Sequence, residues 1–155
     1  MERREFLIGA TSSVAAMALA NASAASTHAE HAGHGGGHAA GDPKVAALRE
    51  STLACQQAAA DCVRHCIERL GTGEGDLAAC LESVLRMQAV TQATFEVVAS
   101  EGAPTKRLQQ LASVCADFCR DCAKECEPHA EHHALCKACL EACQHCIEAC
   151  DAYAA

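Results

Sequence analysis

The chain has 155 residues, the length of one compact domain, and carries 13 Cys against only 3 Phe, 1 Tyr and no Trp. Its net charge is −8, and the first 24 residues do not alter that, because Glu2 and Glu5 balance Arg3 and Arg4. An acidic chain without a basic stripe argues against nucleic acid as a ligand, and so little aromatic volume leaves Ala, Leu, Val and Cys to fill the interior.

Residues 1–24 are predicted to be a twin-arginine leader. Arg3-Arg4-Glu5-Phe6-Leu7 is followed by a mild apolar stretch from Leu7 to Ala20. Two small-residue cleavage sites follow, Ala18-Leu19-Ala20 and Ala22-Ser23-Ala24. The alternative is an N-terminal helix of the domain. The leader implies export by the twin-arginine pathway to the periplasm or another extracytoplasmic compartment, with no membrane span once it is removed. Residues 25–41 are rich in Gly and His and form an expected flexible linker. His28, His31, His34 and His38 in it could hold a metal loosely, or the segment is a plain spacer.

Residues 42–155 are expected to form the folded domain. The first helix runs from Pro43 to Leu70, with Asp42 as N-cap, Pro43 at the first helical position and Gly71 as the stop. The second starts at an N-cap Asp76 and runs to Ser100. The third runs from Thr105, another capping residue, to Cys126 and the fourth from Glu131 to Ala152, with Pro128 breaking the chain between them. Four long helices and three short connections predict an all-α fold, an up-down-up-down four-helix bundle.

The cysteines are placed on these helices at helical spacing. In the fourth helix Cys136, Cys139, Cys143, Cys146 and Cys150 are separated by steps of 3, 4, 3 and 4, a heptad seam. The third carries Cys115, Cys119, Cys122 and Cys126, and the first Cys55, Cys62 and Cys66. Residues three, four and seven apart share one helix face, so each helix aims its thiols in one direction while Arg64, Glu68, Asp117, Arg120, Asp121, Lys124, Lys137, Glu141 and Glu148 occupy other faces. The second helix has Cys80 alone, its face continuing through Val84, Met87, Thr91, Thr94 and Val98. The expected result is a Cys-lined core.

Cysteine used merely as a small hydrophobe would not occupy three whole seams, because Leu or Ile would bury more apolar area there. A disulfide scaffold fits poorly with an odd number of cysteines and with i, i+4 thiols on one helix. Zinc and iron–sulfur sites usually take clustered Cys from turns and loops. Thiolate is a soft ligand and suits Cu(I), which tolerates two or three sulfurs. The pairs Cys62–Cys66, Cys115–Cys119, Cys122–Cys126, Cys139–Cys143 and Cys146–Cys150 each place two sulfurs one helical turn apart. They predict a string of Cu(I) ions held by the thirteen cysteines. An oxidoreductase wants one activated thiol, so no enzyme is expected.

The run from Cys136 to Cys150 and the repeated C-x-x-x-C pairs of the first and third helices resemble the bacterial four-helix-bundle copper-storage proteins, over about residues 43–152. The leader resembles that of the exported branch. The resemblance implies a reduced, thiol-lined bundle that stores multiple Cu(I) ions, assembles as a homo-oligomer of four bundles and exchanges copper with delivery or recipient proteins. The alternative is a metallothionein-like detoxifying thiol protein for Cu or Zn. At the bundle end that collects Cys66, Cys80, Cys126 and Cys136, His129 and His132 continue the fourth seam backwards and are expected to line a mouth for incoming metal. His133, His65 and Met87 are further candidates there.

Overall fold

The computed structural model describes residues 41–100 and 105–155. The expected leader, residues 1–24, and nearly all of the expected linker, residues 25–41, lie outside the described residues.

Four helices account for the described chain: α1 Pro43–Gly71, α2 Ala78–Ser100, α3 Lys106–Cys126 and α4 Ala134–Ala154. Two of the expected caps are in place. The Asp42 side chain accepts from the Lys44 backbone N–H at 2.8 Å, with Pro43 at the first position of α1. The Thr105 hydroxyl accepts from the Leu108 N–H at 3.1 Å at the start of α3. Each satisfies a backbone donor that the first helical turn leaves without a partner. Asp42→Ala is therefore expected to cost the metal-free protein about 1 kcal/mol, read as a lower midpoint in urea denaturation.

Three boundaries differ from the sequence expectation. Helix α1 includes Gly71, and the chain turns at Gly73, whose φ of 101° is left-handed and open to glycine without strain. Asp76 is not an N-cap but sits within a short 3-10 turn, Gly75–Leu77, that feeds directly into α2. Pro128 does not simply break the chain. It starts a second 3-10 turn, Glu127–His129, that continues α3, and α4 opens only at Ala134 rather than Glu131.

Helix α1 packs against α2 and α4, and α3 packs against the same two, so the helices form a closed square. Contacts fix the directions: Cys66 meets Cys80 while Cys55 meets Met87, and Cys122 meets Cys139 while Cys115 meets Cys146. Sequence number rises on one helix as it falls on its neighbour, which is the up-down-up-down arrangement. The buried seam of α1 reads Leu48, Thr52, Cys55, Ala59, Cys62, Cys66. That of α4 reads Cys136, Cys139, Cys143, Cys146, Cys150, Tyr153.

The four seams end differently at the two ends of the bundle. The end holding both 3-10 turns carries Cys66, Cys80, Cys126 and Cys136. At the opposite end the seams finish on buried Leu48, Val98, Leu108 and Tyr153, aliphatic and aromatic volume that excludes water. Charge stays outside: Arg120 of α3 pairs with Asp151 of α4 at 2.6 Å, both side chains about half exposed, so the pair adds little to stability. Among the described residues no helix is long and apolar enough to cross a membrane.

Candidate metal centre

All thirteen cysteines are free thiols, and every one is fully buried. The heptad spacing on α1, α3 and α4 turns their sulfurs to the bundle axis, and the antiparallel packing stacks them in register. Five groups of three or four have all sulfurs within 4.8 Å of one another. From the end with the two 3-10 turns inward they are Cys62, Cys66, Cys80 and Cys136; then Cys62, Cys126 and Cys139; then Cys122, Cys139 and Cys143; then Cys55, Cys119 and Cys143; and last Cys115, Cys119 and Cys146. Each group shares one cysteine with the next, in turn Cys62, Cys139, Cys143 and Cys119. Cys150 closes the series, 3.9 Å from Cys146. The arrangement is a continuous ladder in which one sulfur can bridge two adjacent ions.

The separations bear on coordination number. Two sulfurs in line on one ion would stand about 4.6 Å apart, twice a metal–sulfur bond of about 2.3 Å, whereas three sulfurs around one ion stand about 4.0 Å apart. The closest pairs measure 3.6 Å for Cys80–Cys126 and 3.9 Å for Cys62–Cys66, Cys122–Cys126, Cys122–Cys139 and Cys146–Cys150. Three of these pairs, Cys62–Cys66, Cys122–Cys126 and Cys146–Cys150, lie one turn apart on a single helix, and two, Cys80–Cys126 and Cys122–Cys139, join helices.

Proton distribution follows the same geometry. The Cys126 thiol donates to Cys62 and holds it down to about 4, and Cys115 holds Cys146 down to about 5. Cys55 is lowered by contacts led by Cys119, and Cys122 by contacts led by Cys126. Their neighbours are pushed the other way: Cys66 by burial, Cys126 by Cys122, Cys119 by Cys115, Cys139 by Cys122, Cys143 by Cys119 and Cys150 by Cys115. Cys136, lowered by Cys62 but raised by Cys80 and by burial, ends at about 11. Each group thus holds one thiol that gives up its proton readily beside at least one, among Cys66, Cys119, Cys126, Cys136, Cys139 and Cys143, that is pushed the other way. Metal loading should release on the order of one proton per ion and weaken as pH falls, because acid restores the protons that compete for sulfur. A weakly buffered anaerobic titration followed by pH electrode checks both.

The end with the two 3-10 turns carries histidines. His65 Nε2 lies 3.0 Å from His133 Nδ1, and the His129 ring stands edge-on to His133 with centroids 6.2 Å apart. His129 and His133 are only 14% and 15% exposed. Two carboxylates that the sequence reading missed stand beside them: Glu74 is 3.7 Å from His133, and Asp76 is 4.0 Å from His129. The signal for both was the topology itself, which brings the connection before α2 to the end where the histidines lie.

Two expectations need correction. His132 is exposed, because residues 130–133 form a turn and helical periodicity cannot be extended backwards through it. His133, the N-cap of α4, takes the inner position instead. Met87 is not at the mouth. It is fully buried beside Cys55, deep in the ladder, since the seam of α2 carries it two turns inward from Cys80.

Residues 42–155 match the family model described as Csp, copper storage protein. Among solved structures, the copper storage protein Ccsp from Streptomyces lividans loaded with 10 copper equivalents is similar, with 29% identity and a TM-score of 0.63. That match covers 72% of this chain and 84% of the other. A cytosolic copper storage protein from the same organism, loaded with five coppers, matches at 29% identity with a TM-score of 0.64, covering 72% of this chain and 92% of the other. The apo form of copper storage protein 3 from Bacillus subtilis matches at 25% identity with a TM-score of 0.60, covering 71% of this chain and 98% of the other. A search of curated proteins returns no match.

The comparison overturns the expected export by the twin-arginine pathway: a similar structure is of a cytosolic protein. With its match over the whole thiol-lined bundle, the chain belongs to the copper storage protein family.

Proposed function

We propose that this copper storage protein holds its copper as Cu(I), on the thirteen cysteines Cys55, Cys62, Cys66, Cys80, Cys115, Cys119, Cys122, Cys126, Cys136, Cys139, Cys143, Cys146 and Cys150. The observation that carries the reading is the sharing of one sulfur between each consecutive pair of groups. A soft monovalent ion accepts bridging thiolates and three-fold coordination, and a ladder of such bridges stores many ions in a space closed to water. Anaerobic titration of the reduced protein against a Cu(I) chelator should give at least five tightly held ions per chain, one for each group. Binding of a single ion, or preference for Zn(II) under the same competition, would overturn the proposal.

Metal enters at the histidine end. His129, His133 and His65 offer imidazole at the bundle end that carries Cys66, Cys80 and Cys136, while the seams finish at the other end on buried Leu48, Val98, Leu108 and Tyr153. Glu74 and Asp76 add negative charge that favours an approaching cation. His129→Ala with His133→Ala is expected to slow loading several-fold in stopped-flow measurements and to leave the final copper content unchanged. Exposed Leu53, Ile67, Leu85 and Val114 supply apolar surface for assembly into a homotetramer. Delivery and recipient proteins would exchange copper at the histidine end.

A further inference from the structure

Helix α2 contributes a single cysteine to the ladder, Cys80, yet a second sulfur lies on the same face one heptad further on. Met87 is fully buried, and its Sδ stands 3.3 Å from Cys55 Sγ, closer than the shortest thiol–thiol pair described above. Cys55 belongs to the group it forms with Cys119 and Cys143. The Thr91 hydroxyl lies 3.8 Å from the same Sδ, so the thioether is faced by polar donors rather than by aliphatic carbon alone. In the metal-free protein the Cys55 thiol donates to this sulfur, so the thioether is already turned to the group that would hold the ion.

We propose that Met87 is a copper ligand: its thioether, with the thiolates of Cys55 and one of its partners Cys119 and Cys143, binds a Cu(I) in that group. This rests on the Cu(I) storage reading above. Thioether sulfur is soft and suits the same ion as thiolate. It differs in carrying no charge and no proton. Three thiolates on one Cu(I) leave a net charge of −2, whereas two thiolates and a thioether leave −1, and the difference matters in the interior, where uncompensated charge is expensive. The thioether therefore suits a position far from the histidine mouth and from solvent counter-ions. Binding makes a Cu–S bond at Met87 and needs no electron transfer. The thiolates release their protons to solvent as elsewhere in the ladder.

The full chain labelled with selenomethionine, reduced and loaded anaerobically with Cu(I), tests this by X-ray absorption at the selenium edge. The label also enters at Met1 and Met17, so labelled Met87→Leu and Met17→Leu proteins are measured beside it. The proposal expects a selenium–copper vector at bonding distance that grows with loading, persists in Met17→Leu and is lost in Met87→Leu. A full copper load with no such vector overturns the Met87 assignment and leaves storage on the cysteines standing. A vector that survives Met87→Leu does the same. Failure of the labelled protein to take up several Cu(I) ions overturns the storage reading itself, and this inference with it.

Discussion

Loading copper onto the reduced, metal-free protein is expected to raise its apparent melting temperature by at least about 20 °C. The metal-free bundle is held by a core in which Cys replaces Leu and Ile along three seams, and each such replacement buries less apolar area. Net stability at the ordinary scale of about 5–15 kcal/mol is the most such a core should reach. Copper bound only by the folded bundle stabilises it by mass action, about 4 kcal/mol for each ion when free metal exceeds its dissociation constant a thousandfold. Ions on five groups then add a quantity on the order of the whole stability of the empty protein. The metal also ties α1, α3 and α4 together through shared sulfurs, so unfolding must break several sites at once. Circular dichroism melts at stepwise copper loads, under anaerobic conditions, measure the effect. A melting temperature that barely moves between the empty and the loaded protein would contradict the ladder.

The second large effect concerns capacity. Cys139 and Cys143 each belong to two groups, and together they supply ligands to three of the five. Cys139→Ser with Cys143→Ser is expected to remove at least about half of the tightly held copper, since a hydroxyl is a hard, poor ligand for a soft ion. Cys150→Ser is the matched control. Cys150 lies 3.9 Å from Cys146 but belongs to none of the five groups, so its loss should cost no more than about one ion. Both changes remove sulfur atoms from buried positions on α4, so unequal losses report position in the ladder rather than sulfur content. Equal loss per cysteine removed would mean that the thiols act independently and that sharing is not used.

Much of this protein was legible before any coordinates. The N-caps Asp42 and Thr105, the steps of three and four between cysteines, and the short connections are all local features. Helix formation and the facing of side chains depend on local spacing, so the four helices and the inward thiols followed from them. The resemblance to copper storage proteins rested on the same spacing and is upheld by the family match over residues 42–155. The expected leader, residues 1–24, lies outside the described residues; the expected export is what the comparison with a cytosolic protein contradicts.

The amino-acid sequence by itself determined which faces carry sulfur; the tertiary structure decided which sulfurs meet. Pairing Cys62 with Cys126 and Cys139, or Cys55 with Cys119 and Cys143, depends on the axial offset between helices, which is set by how the seams interlock. The same offset sends Met87 down beside Cys55 instead of to the mouth. A turn over residues 130–133 brings His133, not His132, against His65, because helical periodicity ends where the backbone hydrogen-bond ladder ends. Glu74 and Asp76 join the histidines only because the chain folds back on itself there. Spacing along one helix is a property of the backbone, whereas contact between helices is a property of their packing.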